Sequence, residues 1–183
     1  MKRARIVIWG LAAALAGRAA AQTIAPASAS ASASASASAS AERRNWYNDP
    51  FIELSNAFPG CPVPLGPLIT HAQMETDAHY RVEQGTSCWL AHECSKPNSY
   101  LYDAPIAEAA RVRFSGDPVL NGTSLWLTIQ RRFIYAEGCA DASFDRVAFQ
   151  RRLEALPDVQ HVYLRITGDP RGRPPYKTLA APD

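Results

Sequence analysis

A chain of 183 residues with 20% charged side chains and a formal charge of +2 is long enough for one domain with a real core, and too short for two ordinary ones. Its first 21 residues hold four basic side chains and no acidic one, so removing them leaves 15 basic against 17 acidic groups and a charge near −2. That excludes nucleic acid as a partner held by a whole-molecule positive field, and any anionic partner would need a local patch.

Lys2, Arg3 and Arg5 precede an apolar run, Ile6–Gly17, which ends at Ala19-Ala20-Ala21, the pattern of a signal peptide over residues 1–21 cleaved after Ala21. The run is about 12 residues, whereas a helix crossing a bilayer needs about 20. The expected product is periplasmic or secreted, with no transmembrane helix in its mature form. Residues 22–44 are dominated by an Ala-Ser alternation, which has no large apolar face to bury and reads as a disordered linker.

Residues 45–102 form a Pro- and Cys-containing extension with one helix. Trp46, Tyr47 and Phe51 are an aromatic cluster suited to packing on a domain surface. Phe58–Pro67 contains four prolines, which rule out regular helix and favour an extended covering loop. Thr70 and Gln73 fit a capping box, and Gly85 is placed to end the helix that follows, with Met74, Ala78 and Val82 along its inner face.

Cys61, Cys88, Cys94 and Cys139 are an even set, which in an exported chain points to two disulfides. Cys88 and Cys94 lie six positions apart. Continuous helix would separate their Cα atoms by about 9 Å, so a bridge needs a turn. Gly85 and Lys96-Pro97-Asn98-Ser99 supply turn formers, which favours Cys88 with Cys94 and, by elimination, Cys61 with Cys139. A metal site built from Cys88, His92, Cys94 and His71, His79 or Cys61 is the rival reading, but no paired zinc-ligand spacing occurs.

From Asp103 onward the pattern is clearer. Asp103 is placed to cap a helix running to about Phe114, with Ile106, Ala109 and Ala110 facing inward, and Gly116-Asp117-Pro118 ends it. Ser124–Gln130 alternates Leu125, Leu127 and Ile129 with Trp126, Thr128 and Gln130, as a strand with one buried face does. Phe133–Cys139 is its hairpin partner across Arg131-Arg132. A helix over 143–156 carries Phe149, Leu153 and Leu156 on one arc and Phe144, Ala148 and Ala155 on the other, the second arc to be covered by the Cys61-bearing extension. Gln160–Ile166 is a third strand, and 167–183 is a Pro/Gly-rich C-terminal tail.

The helix, strand, strand, helix, strand order over 103–166, with Leu120 and Asn121-Gly122-Thr123 before the first strand, Gly138 near the end of the second, and Val159 and Val162 at the third, resembles the BON domain. Arg131-Arg132 stands where that family's hairpin commonly has glycine. The resemblance implies an α+β fold of two helices on a three-stranded sheet, here joined by disulfide to the N-terminal extension. It also implies attachment to a membrane phospholipid surface or to an envelope protein, with no catalytic residues and no cofactor.

Basic residues gather toward the C-terminus: Arg131, Arg132, Arg146, Arg151, Arg152, Arg165, Arg171, Arg173 and Lys177. If lipid is the partner, Arg131, Arg132 and Arg165 are the expected contacts; if protein, Trp126, Tyr135 and the proline-rich loop. No serine elbow, paired-carboxylate constellation, phosphate loop or Cys-x-x-Cys accompanies Ser124, Ser143, Asp158 or His161, so an enzyme is not expected.

Overall fold

The computed structural model describes residues 42–181; the leader expected at 1–21 and the Ala-Ser tract as far as 41 lie outside them. Three strands come first, β1 (Arg43–Arg44), β2 (Phe51–Asn56) and β3 (Ile69–Thr70), followed by helix α1 (His71–Glu83) and the short helix α2 (Thr86–Leu90). A 3-10 turn at Ser99–Tyr102 leads into α3 (Asp103–Phe114). Then come β4 (Ser124–Gln130), β5 (Phe133–Cys139), α4 (Arg146–Glu154) and β6 (His161–Thr167). The fold is mixed α+β, with the expected helix, strand, strand, helix, strand order in its second half.

The main sheet has four strands in the order β2-β4-β5-β6, whereas the sequence reading has three. The extra strand comes from the extension: β2 pairs antiparallel with β4, placing Phe51 opposite Thr128 and Glu53 opposite Trp126, with a bulge between Glu53 and Ser55. Its alternation is visible in retrospect, since Ile52 is buried while Glu53 is exposed. The run is short and sits between an aromatic cluster and a proline-rich loop, which masked its period. β4 and β5 are antiparallel, and β5 and β6 are parallel across the α4 connection. β1 and β3 make a separate two-stranded ladder, so ordered chain begins ahead of residue 45.

Helices α3 and α4 lie on one face of the sheet. Ile106, Ala110 and Phe114 from α3 and Phe149 and Leu153 from α4 meet Leu125, Leu127, Ile129, Ile134 and Val162 in one apolar cluster, the burial that drives the fold. Phe114 and Phe149 cross edge to face with centroids 5.2 Å apart. The two-arc reading of the second helix needs correction. α4 begins at Arg146, capped by Asp145 accepting from Ala148 N, so Phe144 lies before the helix and turns back onto Phe149. Ala155 is exposed, and no second buried arc exists for the extension to cover.

The Thr70–Gln73 capping box is present at α1, and Gly85 follows its end with φ +88°. The inner face expected for that helix is not buried. Ala78 is exposed and Val82 is 70% exposed, because α1 holds to the domain through polar groups. Tyr47 OH donates to Met74 O, and Arg81 makes a two-pronged pair with the buried Asp49 while lying between the Tyr47 and Tyr100 rings. Asp49 also accepts from Gln130 Nε2, tying the extension to the end of β4.

Cys61 is bonded to Cys139 and Cys88 to Cys94, with Cα separations of 5.8 Å and 5.4 Å, the pairing favoured from spacing. The second bridge spans the turn after α2, as its geometry requires. No thiolate is left to ligate a metal.

Candidate functional site

On the sheet face away from the helices the β4 side is covered and the exposure lies toward β6: Trp126, Thr128 and Glu137 are buried, Gln130, Phe133 and Tyr135 half-buried, and His161, Tyr163 and Arg165 exposed. The cover is the proline-rich loop together with the C-terminal tail. Leu65 N donates to Lys177 O at 2.8 Å, Leu179 N to Val63 O at 3.0 Å, and Tyr176 OH to Pro62 O at 2.9 Å. The Cys61–Cys139 bridge fixes this loop to the end of β5. Tyr176 OH lies 3.7 Å from Cys61 Sγ and 4.0 Å from Cys139 Sγ, which places the tail over that end of the sheet; burial and the nearby Glu137 carboxylate push its phenol up to about 12.

Trp126 lies under this cover at 3% exposure, its indole N–H donating to Glu53 Oε2. It belongs to the packing between sheet and cover, and not to a contact surface. The alternation of Ser124–Gln130 could not reveal this, because both faces of β4 are buried.

The partly open side is built by cross-strand register. Gln130 faces Phe133 and Thr128 faces Tyr135 across β4 and β5; Phe133 faces His161, Tyr135 faces Tyr163, and Glu137 faces Arg165 across β5 and β6. Since side chains alternate, these positions share one face. Tyr135 and Tyr163 stack at 5.1 Å with planes 12° apart, while Phe133 and His161 meet Tyr163 edge-on at 6.1 Å and 4.5 Å. Tyr163 is 39% exposed, high for an aromatic residue held at the centre of a cluster.

Two arginines bracket the aromatic strip. The Arg165 guanidinium lies 5.1 Å from the Tyr135 ring and donates to Glu137 Oε1 at 3.1 Å. Burial raises the Glu137 carboxyl above the ordinary range, and Arg165 opposes that rise. At the other end the Arg131 guanidinium is 5.6 Å from the Phe133 ring. Between them a small hollow of about 130 Å³ opens beneath Gly66, Thr128, Tyr135 and Arg165.

Arg132 has a different position from its neighbour. Its Nε donates to Asp158 O, and its guanidinium lies over the Tyr102 ring and reaches Cys94 Sγ. It ties the hairpin to the third-strand approach and to the Cys88–Cys94 turn. Arg131 and Arg132 both have left-handed backbone, φ +57° and +70°. This is the two-residue hairpin conformation that glycine or asparagine usually supplies. Asp103 holds it: its carboxylate accepts from both backbone N–H groups at 2.8 Å. The Asp103 side chain therefore does not cap α3, whose N-cap is Tyr102. Burial raises the Asp103 carboxyl to about 6 in spite of those two donors.

Of the five expected contact residues, the structure brings Tyr135 and Arg165 together on the open strip, sets Arg131 at its end, assigns Arg132 to the fold and buries Trp126. Phe133 and Tyr163, absent from that expectation, complete the surface. Their signal was the polar phase of β5 and β6, Phe133-x-Tyr135 and His161-x-Tyr163-x-Arg165, an outward face too aromatic for one that only meets water.

The chain matches no family model, no curated protein and no solved structure.

Proposed function

We infer that this chain is an exported, non-catalytic binding module of the bacterial cell envelope, BON-like over 103–166, which attaches to an anionic phospholipid surface through the partly open side of its sheet. The observation that carries this reading is the Tyr135–Tyr163 stack, with Tyr163 exposed and Tyr135 half-buried, bracketed by Arg131 and Arg165. Tyrosine has an apolar body and a polar tip that suit the headgroup region, and arginine suits phosphate. Two disulfides and the leader pattern support export, and the element order supports the BON-like assignment. The strip suits adhesion better than chemistry, since its buried acid is paired with Arg165 and His161 is exposed.

The test is flotation of the oxidised chain from Gln22 onward with anionic and neutral vesicles. Binding to anionic vesicles that falls as salt rises, and is lost in a Tyr135→Ala/Tyr163→Ala variant, is the expected result. Unaltered flotation of that variant would contradict the assignment of this face.

A second reading, attachment to an envelope protein without lipid, has one observation in its favour. Tyr80, Val82, Trp89 and Leu90 of α1 and α2 are 60%, 70%, 42% and 70% exposed, which suits a protein contact. On that reading the protein floats with no vesicle.

A further inference from the structure

The C-terminal tail does more than cover the sheet: it folds back to form the rim of an open-mouthed cavity of about 470 Å³, into which Arg165, Arg173 and Lys177 converge. Arg165 shares one nitrogen with Glu137. The side chains of Arg173 and Lys177 have neither an ion pair nor a hydrogen bond among the described residues. Among the described residues the cavity lining holds three cations and no carboxylate, and the Glu137 that Arg165 contacts is already engaged; the cations repel one another, and an entering anion relieves that repulsion.

The wall is pre-shaped. Pro174 and Pro175 stiffen the tail, and at Lys177 and on either side of it the tail is fastened to the loop that Cys61–Cys139 holds in place: Tyr176 OH donates to Pro62 O, Lys177 O accepts from Leu65 N, and Leu179 N donates to Val63 O. Neither cation has to drag a mobile segment into order on binding, which lowers the entropic cost. The volume lies in the range of small-molecule sites, which leaves room for an organic group beside an anion. A planar guanidinium fork and a point-charge ammonium are the pair that recognises a phosphate oxyanion.

We propose that Arg165, Arg173 and Lys177 form a binding site for a phosphate ester, with the phosphate between the three cations and its organic group in the remainder of the cavity. The site lies mostly beyond the BON-like segment, in a tail that its sequence marks only as rich in proline and glycine. Arg165 belongs to both this cavity and the aromatic strip, so a lipid phosphate seated here would set the headgroup beside the Tyr135–Tyr163 stack. That lipid form rests on the membrane reading above; a soluble phosphate ester does not require it.

Glycerol 3-phosphate and anionic vesicles, used separately on the oxidised chain from Gln22 onward, distinguish the two sources. Titration followed by amide NMR is expected to shift Arg173 and Lys177 first, and Arg173→Ala/Lys177→Ala to weaken binding about tenfold or more. Both positions are exposed, and Arg173→Lys, which keeps the charge and removes the fork, is expected to weaken binding less. Glycerol 3-phosphate binding without flotation supports the site and overturns the membrane reading. Flotation that Arg173→Ala/Lys177→Ala leaves intact, with no shift at these amides under glycerol 3-phosphate, overturns the site and leaves the membrane reading standing.

Discussion

At residue scale the most consequential group is Asp103, which lets two arginines occupy a turn that ordinarily calls for glycine. A left-handed conformation costs a non-glycine residue about 1–2 kcal/mol, and here both N–H groups of the turn are satisfied by one carboxylate. Asp103→Ala leaves both donors without an acceptor, and chemical denaturation is expected to show a loss of about 3 kcal/mol. The raised carboxyl adds a pH dependence. The folded state holds the Asp103 proton up to about pH 6, whereas the unfolded chain releases it near pH 4. Stability therefore falls as pH rises across that interval and levels above it. Asp103→Asn should flatten the slope in urea titrations, leaving a weaker one of the same sign from Glu137, which burial also raises. Arg131→Gly should raise stability by about 1 kcal/mol by relieving the left-handed residue while weakening vesicle flotation, a separation that a purely structural arginine would not give. Sequence alone places Asp103 as a helix cap because capping is a local pattern; its true partners are 28 and 29 positions away, beyond any local rule.

At element scale the strands announce themselves where one periodicity rules and hide where several forces meet. β4 and β5 were legible from alternation and β6 from its apolar phase. β2 was not, since a bulged strand of six residues offers few periods to count. α1 was legible in its cap and its end but misjudged in its face: Met74, Ala78 and Val82 have the spacing of a buried stripe, yet the helix is fastened through Arg81 and Asp49 instead. Gly138 shows how tightly β4 and β5 approach, because a Cβ there would stand 2.0 Å from Ser124 O. Gly138→Ala should cost more than about 3 kcal/mol, read from the midpoint of thermal or urea unfolding. The disulfides differ in the same ordered way. Cys61–Cys139 closes a separation of 78 residues and Cys88–Cys94 one of 6, so the chain-entropy model assigns about 4.5 kcal/mol to the first and about 2.4 to the second. Cys61→Ser/Cys139→Ser should therefore unfold much more readily than Cys88→Ser/Cys94→Ser. It should also expose the proline-rich loop and the tail to proteases, because that bridge anchors the cover.

At the scale of the whole molecule, charge and apolar surface are sorted in a way that composition conceals. The chain beyond residue 21 is slightly acidic, yet Arg131, Arg165, Arg173 and Lys177 surround one aromatic face and its adjoining cavity. Arg152, by contrast, is consumed by Asp117, which its hydrogen bond holds below the usual carboxylate range. The sequence listed nine basic residues toward this end, and only the fold divides those that form the surface from those that brace the core. Among the described residues no helix is long and apolar enough to cross a membrane. On the proposed function, attachment to a bilayer depends on this face. Placing a reporter there tests that dependence most directly: Tyr163→Trp, in the oxidised chain from Gln22 onward, mixed with anionic vesicles containing bromine-labelled lipid. The account predicts a blue shift and quenching of the new tryptophan fluorescence, above the signal of the parent chain and reversed by salt. Protein that floats while residue 163 stays unquenched would show that another face meets the membrane, and would contradict the account.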